Sequence, residues 1–166
     1  HLDEILNKFP PAFVSIMHGN NELGNINPID EIANLCKKHK AYFHSDTVQT
    51  IGHLPIDLNN LPIDYLVASA HKFHGPKGIG FLFVRKERRF TPLLLGGAQE
   101  KDLRAGTENV AGIIGMVKAF ELAHQDLRKT ELHFELLKTY LIEEINTRFN
   151  FITINGTQEN ALQNII

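Results

Sequence analysis

The sequence predicts an α/β fold in three layers, in which helices flank a mainly parallel β-sheet. Short apolar runs alternate along the chain with longer segments of helical periodicity, as in folds built from strand–helix–strand units. The run at 63–70 is apolar almost throughout, which is typical of a strand covered on both faces. Polar residues cluster where the apolar runs end, and ligands of open α/β sheets bind beyond the carboxyl ends of the strands.

The first half of the chain predicts two helices and two strands. A short helix at 2–9 ends at the proline pair 10–11, because proline cannot continue a helix. The apolar run at 12–17 has the length and composition of a strand, and 41–46 is predicted as the second strand. A helix begins at Pro28, since proline favours the first turn. Its apolar residues recur at helical spacing and are Ile29, Ile32, Ala33 and Cys36.

The second half predicts three more strands and two longer helices. The runs at 63–70 and 79–86 are strands, and a polar linker with a glycine-rich turn follows them. A helical pattern covers 109–124, and a second one covers 127–148. The apolar face of the second helix consists of Leu132, Leu136, Leu137, Leu141 and Ile145. The segment at 151–156 is predicted as a further strand.

Composition excludes several classes of protein. The 166 residues are 43% hydrophobic and 22% charged, which is typical of one globular domain with a real core. The net charge of −2 is spread along the chain, so no basic face for nucleic acid is expected. No apolar stretch reaches the roughly 18 residues of a membrane span. Cys36 is the single cysteine, which rules out an internal disulfide and favours the cytoplasm or another reducing compartment.

Three turns at the predicted strand ends carry more polar side chains than a simple loop needs. They follow the runs at 12–17, 41–46 and 63–70. Because the carboxyl ends of parallel strands meet at one edge of a sheet, these turns are expected to lie close together. Their polar residues are Asn20, Asn21, Glu22, Asp46, Gln49, Ser69, His71 and Lys72.

Two lysines near the third strand are candidate nucleophiles. Lys72 follows the end of a strand that should be buried, and burial disfavours the charged ammonium form. A free amine can attack an aldehyde. Lys77 lies in a Gly-Pro-Lys-Gly turn, which normally stays at the surface with its amine protonated. Lys72 is therefore the better candidate.

The remaining polar residues suit one cofactor, pyridoxal 5′-phosphate. Asp46 can face a basic ring nitrogen and keep it protonated, as that cofactor requires to accept electrons. Ser69 and His71 can donate hydrogen bonds to a phosphate beside the lysine. Gln49 and Asn21 can bond the phenolic oxygen of the ring. Together these side chains form a candidate cofactor site.

Other interpretations remain open for the same residues. An aspartate at a strand end often caps the turn or helix that follows it. His71 and His74 have a spacing seen in some metal sites, but no cysteine or carboxylate follows at ligand spacing. The glycines around Lys77 lack the spacing of a nucleotide-binding loop, and they precede a strand rather than a helix. Cys36 lies on an apolar helix face, which indicates a packing residue.

Two segments carry a family resemblance, SAHKFHGPKGIG at 69–80 and RAGTEN at 104–109. With the regions around them, they resemble the cysteine desulfurases, which are pyridoxal-phosphate enzymes of the class V aminotransferase group. The resemblance extends over essentially the whole chain. It implies the large domain of the fold-type I architecture.

The resemblance also implies a role for each matching residue. Lys72 corresponds to the Schiff-base lysine of the family and Asp46 to the aspartate that faces the pyridine nitrogen. Gln49 corresponds to the glutamine near the phenolic oxygen. Asn21 corresponds to the asparagine beside the cofactor and the carboxylate of the substrate.

Three further residues correspond to the groups that bind the cofactor phosphate. Ser69 and His71 match the pair that binds it within one subunit. Thr107 matches a threonine that reaches the phosphate in the partner subunit, which implies a homodimer with shared sites.

The implied activity removes sulfur from L-cysteine, giving alanine and an enzyme persulfide that feeds iron–sulfur cluster assembly through an acceptor or scaffold protein. Residues 1–166 are expected to form the central to C-terminal part of the large cofactor-binding domain. Its N-terminal part and the small C-terminal domain would lie outside this chain, with the catalytic cysteine and the arginine that binds the substrate carboxylate. Alone, the chain is not expected to turn over substrate. The alternatives are a selenocysteine lyase or another class V lyase, and a non-catalytic fragment of the same fold.

Overall fold

The computed structural model describes residues 1–156 and 159–166, and within them four strands and four helices follow the predicted order. The strands are β1 Phe13–Ser15, β2 Tyr42–Asp46, β3 Tyr65–Ser69 and β4 Gly80–Val84. The helices are α1 Leu2–Lys8, α2 Ile29–Lys38, α3 Val110–Gln125 and α4 Leu127–Arg148. The structure thus confirms all four predicted helices and the first four predicted strands.

The four strands form one sheet in sequence order. β1, β2 and β3 are parallel, whereas β4 is antiparallel to β3. The chain between β3 and β4 consists of a single 3-10 turn at Ala70–Phe73 and a short loop, which is too short for the crossover that a parallel strand needs. The sheet is therefore mixed and mainly parallel, as the sequence predicts.

The core lies between the sheet and α2. Phe43 of β2 and Leu66 of β3 have no exposed surface, and α2 packs against β2. The predicted stripe of α2 is buried in full and consists of Ile29, Ile32, Ala33 and Cys36. Burying large apolar side chains such as Phe43 and Leu66 stabilises the fold by about 2 kcal/mol each. This core fixes the carboxyl ends of β2 and β3 beside each other.

A buried carboxylate connects the two central strands. Asp64, just before β3, is 4% exposed and accepts a hydrogen bond of 2.8 Å from the backbone N–H of Phe43. Its other oxygen accepts from Nε of Arg88 at 2.5 Å. The buried charge is thus paired and hydrogen-bonded, as burial of an ionised group requires.

In the C-terminal half, a predicted strand does not form and the apolar face of a predicted helix is not buried. The predicted strand at 151–156 is wrong, because these residues have no strand structure and join no sheet within residues 1–156 and 159–166. The apolar face of α4 forms but is not covered, since Leu132, Leu136, Leu137 and Leu141 are 42–66% exposed. Within residues 1–156 and 159–166, no helix has the length and apolar character needed to cross a membrane.

Candidate functional site

The turn that follows β2 presents Asp46 at the sheet edge. Asp46 is exposed, and its Oδ1 accepts a 2.9 Å hydrogen bond from the N–H of Val48. The backbone N–H and the hydroxyl of Thr47 both donate to the carbonyl of Val67 in β3, at 3.1 and 2.8 Å. In the described part of the chain, Oδ2 of Asp46 has no hydrogen-bond partner. The carboxylate therefore shapes its own turn with one oxygen and presents the other outward.

The turn that follows β1 packs directly against this one. The N–H of His18 donates to the carbonyl of Asp46 at 2.8 Å. A Cβ on Gly19 would lie 2.8 Å from Cγ2 of Thr50 and 3.6 Å from Cβ of Gln49, so only glycine allows this approach. The structure thereby brings the first polar turn to the side of Gln49, as the parallel-strand argument predicts.

The two asparagines of the first turn have different environments. The side-chain oxygen of Asn20 accepts from the N–H groups of Glu22 and Leu23 at 2.9 and 2.8 Å, so Asn20 shapes the turn. Asn21 is exposed, and its side chain donates to Glu22 at 2.9 Å. Asn21 is therefore the one presented to the surface, and its role as a ligand stays a prediction.

The segment that follows β3 places a serine, a histidine and a lysine on one short turn. Oγ of Ser69 lies 2.8 Å from Nδ1 of His71. If the serine donates, Nε2–H of the imidazole stays available, and if the imidazole donates, the serine O–H stays available. The pair thus keeps a donor for an anion in either tautomer. Lys72 is half-buried and Lys77 is exposed, which matches the predicted difference between the two lysines.

One contact in this region was not predicted from the sequence. Nε2 of His53 lies 2.9 Å from the carbonyl oxygen of Lys72. The two residues are 19 positions apart, and His53 lies in a loop without any motif of its own. A hydrogen bond to a backbone carbonyl leaves no signal in side-chain patterns, so the sequence offered no way to find it.

Thr107 lies apart from these residues. It is exposed in the loop before α3 and lines a cavity of about 690 Å³ with residues of β4 and α3. Among the described residues, no hydrogen bond joins Thr107 to the turns that follow β1, β2 and β3. The turn with Asp46 and Gln49 and the turn with Ser69, His71 and Lys72 thus follow adjacent strands, and the turn with Asn21 packs against the first of them. Thr107 lies in a separate loop, and a shared site for these residues stays a prediction.

Burial shifts two titratable groups near the sheet. It lowers the pKa of His18 to about 4, although the negative charge of Asp30 opposes the shift. Burial also raises the pKa of the Cys36 thiol, and Asp64 adds to that effect. Cys36 therefore stays protonated inside the core, as expected of a packing residue. No cluster of metal-ligating residues is present among the described residues, so His71 and His74 do not form part of one.

The arrangement suits pyridoxal phosphate in its chemistry. The outward oxygen of Asp46 provides the negative charge that a protonated ring nitrogen needs. Ser69 and His71 provide a donor for the phosphate, and half-buried Lys72 provides an amine three residues after Ser69. The donor set therefore fits the cofactor, and residues at the ends of two adjacent strands, β2 and β3, would hold it.

Comparison with known proteins places these features in a family. The family model of the class-V aminotransferases matches residues 2–166. The chain is 49% identical over 153 residues to the cysteine desulfurase IscS of Dictyoglomus turgidum, covering 92% of this chain and 39% of that protein. It is 52% identical over 130 residues to the IscS protein of Methanosarcina thermophila, covering 78% of this chain and 32% of that protein.

Solved structures agree with this assignment. A NifS-like protein superposes with a TM-score of 0.90 at 39% identity over 98% of this chain and 45% of its own. A structure described as SspA in complex with cysteine gives 0.76 at 34% identity, covering 98% of this chain and 45% of its own.

The chain spans about two fifths of the length of the curated relatives it matches. The mixed sheet and its flanking helices are those of NifS-like, fold-type I structures. Because the family model matches nearly every residue, this chain belongs to the aminotransferase class-V family, a family of pyridoxal-phosphate enzymes.

Proposed function

We propose that this chain is the central part of the cofactor-binding domain of a pyridoxal-phosphate-dependent cysteine desulfurase. The observation that carries the proposal is the position of half-buried Lys72. It directly follows the Ser69–His71 pair at the end of β3, and β3 pairs with β2, the strand that ends at Asp46. The similarity to proteins named cysteine desulfurase, at 43–49% identity over 92% of the chain, supports this choice within the family.

Each residue then has a defined task. When bound, the cofactor supplies an electron-withdrawing ring that stabilises negative charge at the Cα of an amino-acid substrate. Asp46 keeps the ring nitrogen protonated, and Gln49 bonds the phenolic oxygen. Ser69 and His71 hold the phosphate. Lys72 would hold the cofactor through its aldehyde, and the Lys72 amine would move a proton at the substrate Cα.

The remaining steps need groups that this chain does not carry. Its one cysteine is buried in the core, so the thiolate that takes sulfur from L-cysteine comes from another part of the full-length protein. The products are alanine and a persulfide on that thiol, in which the sulfur left the substrate Cβ and bonded to the enzyme. We infer that this sulfur supplies iron–sulfur cluster assembly through an acceptor protein in the cytoplasm.

Thr107 has its task in a dimer. It is exposed and apart from the Lys72 region, so it is free to reach the cofactor phosphate of a partner subunit. A homodimer in which two chains complete each site accounts for this position. Asn21, exposed in the turn that follows β1, is assigned to the cofactor and the substrate carboxylate.

Covalent trapping tests the proposal in the full-length protein. Borohydride reduction in the presence of pyridoxal phosphate, followed by peptide mass spectrometry, should place the label on Lys72. The Lys72→Ala variant should lose the label, the visible absorbance and alanine formation from L-cysteine, whereas the matched Lys77→Ala variant should keep all three. A label on Lys77, or on no lysine, would overturn the assignment.

A substrate comparison separates the alternatives within the family. A cysteine desulfurase forms alanine from L-cysteine and carries persulfide sulfur. Activity confined to selenocysteine would instead indicate a selenocysteine lyase, and a trapped label without turnover of either substrate would indicate a non-catalytic member.

A further inference from the structure

We propose that His53 is a positioning residue that fixes the backbone of Lys72 relative to the groups facing the cofactor ring. The inference rests on the proposed function, because it concerns the lysine that binds the cofactor. Its basis is the 2.9 Å contact between Nε2 of His53 and the carbonyl oxygen of Lys72. His53 touches neither the cofactor nor the substrate in this proposal and acts only through Lys72.

The chemistry of the contact defines the tautomer. A backbone carbonyl can only accept a hydrogen bond, so Nε2 of His53 must carry the proton. The acceptor is the carbonyl of the lysine itself and not that of a neighbour. The contact therefore restrains the peptide unit from which the reactive side chain extends.

A second, independent observation shows that the two segments are in close contact. A Cβ on Gly52, next to His53, would lie 2.6 Å from Cβ of Phe73, which follows Lys72. Phe73 is 1% exposed, so it cannot move aside. The loop at 52–53 and the turn at 72–73 thus meet through a hydrogen bond and a van der Waals contact at adjacent residues.

The connection matters because the two segments carry complementary groups. The chain from Asp46 through Gln49 to His53 is one continuous series of turns, closed by hydrogen bonds from Thr50 to Thr47 and from His53 to Thr50 at 2.9 Å. That series presents the carboxylate for the ring nitrogen. His53 therefore ties the turn that carries this carboxylate to the backbone of Lys72, and small misplacements of reacting groups cost large factors in rate.

The hydrogen bond also has a purpose during turnover. The side chain of Lys72 would serve both to hold the cofactor and to move a proton at the substrate, so it needs freedom of movement that its backbone does not. The turn at Ala70–Phe73 is short, and its other end carries His74 in a left-handed conformation with φ of 67°. A restraint on the Lys72 carbonyl keeps the backbone in place while the side chain changes partners.

Two near-isosteric substitutions in the full-length protein test the proposal. His53→Met keeps the volume but removes the donor, whereas His53→Gln keeps an N–H donor. We expect His53→Met to slow formation of the trapped Lys72–cofactor adduct about tenfold, the effect of losing one hydrogen bond of ordinary strength. His53→Gln should recover most of that rate, and His133→Ala, at an exposed site on α4, should match the unchanged protein.

Amide hydrogen exchange of the cofactor-free protein provides a readout that needs no adduct. The amides of 70–75 should exchange about tenfold faster in His53→Met than in His53→Gln. Equal exchange and equal adduct rates in the two variants would overturn the positioning role. A protein in which no variant forms an adduct, but in which exchange still responds to the donor, would instead overturn the proposed function and keep the His53–Lys72 contact.

Discussion

Two regions of this molecule carry candidate cofactor ligands, and they are built in opposite ways. We call residues 46–54 and 69–74 the strand-end cluster and residues 93–108 the glycine-rich loop. In the strand-end cluster, hydrogen bonds join different elements, as between His53 and Lys72 or Thr47 and Val67. In the glycine-rich loop, most of the described hydrogen bonds join residues of the loop itself, such as the one from the N–H of Ala105 to the carbonyl of Leu94. The first region is thus tied to neighbouring elements of the chain, and the second is held mainly by its own contacts.

Exposure and backbone conformation show the same difference. Leu93 and Leu95 of the glycine-rich loop are 92% and 81% exposed, whereas Phe73 of the cluster is 1% exposed. Residues 100–102 of the loop all have positive φ, between 47° and 64°, although none is glycine. Each such residue costs about 1 kcal/mol or more unless surrounding structure stabilises it. A surface from outside this chain, such as a partner subunit, would supply that stabilisation.

The largest expected effect is the loss of activity in Asp46→Asn. This substitution removes the charge of Asp46 but keeps its hydrogen bond within the turn. In Asp46→Asn, the amide oxygen can still accept from the N–H of Val48, so the fold should keep its stability. The neutral amide cannot stabilise a protonated ring nitrogen, and we expect kcat in the full-length protein to fall about a hundredfold or more. Steady-state alanine formation measures this.

The matched control is Asp102→Asn in the glycine-rich loop, which removes the same charge without touching the cluster. It should leave kcat unchanged. If Asp46→Asn unfolds the protein or keeps full activity, the carboxylate has only the turn-capping role that the sequence also allowed.

The second effect compares two glycines with positive φ, one in each region. Gly52 has φ of 80°, and its added Cβ would meet buried Phe73 at 2.6 Å. Gly106 has φ of 105°, and its Cβ would meet only the flexible guanidinium of Arg104. Gly52→Ala should therefore lower the free energy of unfolding by about 2–3 kcal/mol, from left-handed strain plus overpacking.

Gly106→Ala carries the strain without the overpacking and should cost about 1 kcal/mol. Urea denaturation of the full-length protein measures both. Equal losses would show that the two regions pack alike, contrary to the comparison.

The third effect is the pH dependence of the free energy of unfolding, which buried His18 should cause. Burial lowers the pKa of His18 to about 4 from its ordinary value of 6.5, and Nδ1 of His18 has no hydrogen-bond partner in the described chain. Below pH 6.5 the unfolded chain binds a proton that the folded chain excludes, so stability falls as the pH is lowered. The loss should amount to about 2 kcal/mol between pH 6.5 and 5.

His18→Leu should remove this loss, because leucine binds no proton and fills a buried site of similar size. Denaturation midpoints at pH 7 and pH 5 measure the slope. His133→Leu, at an exposed position, should keep the original slope. A slope unchanged in His18→Leu would assign the acid sensitivity to another group.

The positions of the helices could be predicted from the sequence, but the burial of their apolar faces could be predicted for only some of them. The apolar residues of α2 and α4 recur with the same helical period, yet those of α2 are buried and those of α4 are largely exposed. Periodicity defines which face of a helix is apolar, but not whether a neighbour covers it. The predicted strand at 151–156 failed for a related reason, since an apolar alternation does not show whether the segment lies beside a strand of the sheet, and residues 151–156 pair with none of β1 to β4.

The candidate site was also predictable only in part. The rule for strand ends predicted that the turn of Asp46 and Gln49 and the turn of Ser69, His71 and Lys72 follow neighbouring strands, and the strand order agrees. That these side chains share one cofactor stays a prediction. The contribution of His53 was not predictable, because its partner is a carbonyl that every residue carries. Hydrogen bonds to the backbone depend on the distance between two segments, and that distance depends on packing.

The smallest expected effect on stability comes from substitutions of exposed leucines in the glycine-rich loop. Leu93→Ser and Leu95→Ser remove apolar side chains that make few contacts within the chain, so each should change the free energy of unfolding by less than about 0.5 kcal/mol. The same substitutions should weaken association of the full-length protein, since a partner surface would cover these leucines. Sedimentation velocity over a range of concentrations measures that equilibrium.

Leu132→Ser on α4 is the control, because it removes a leucine of 47% exposure from a surface outside the loop. Weaker association in both loop variants, with unchanged unfolding, would show that the glycine-rich loop is completed by a second chain. Unchanged association would leave Thr107 without a route to a partner's cofactor.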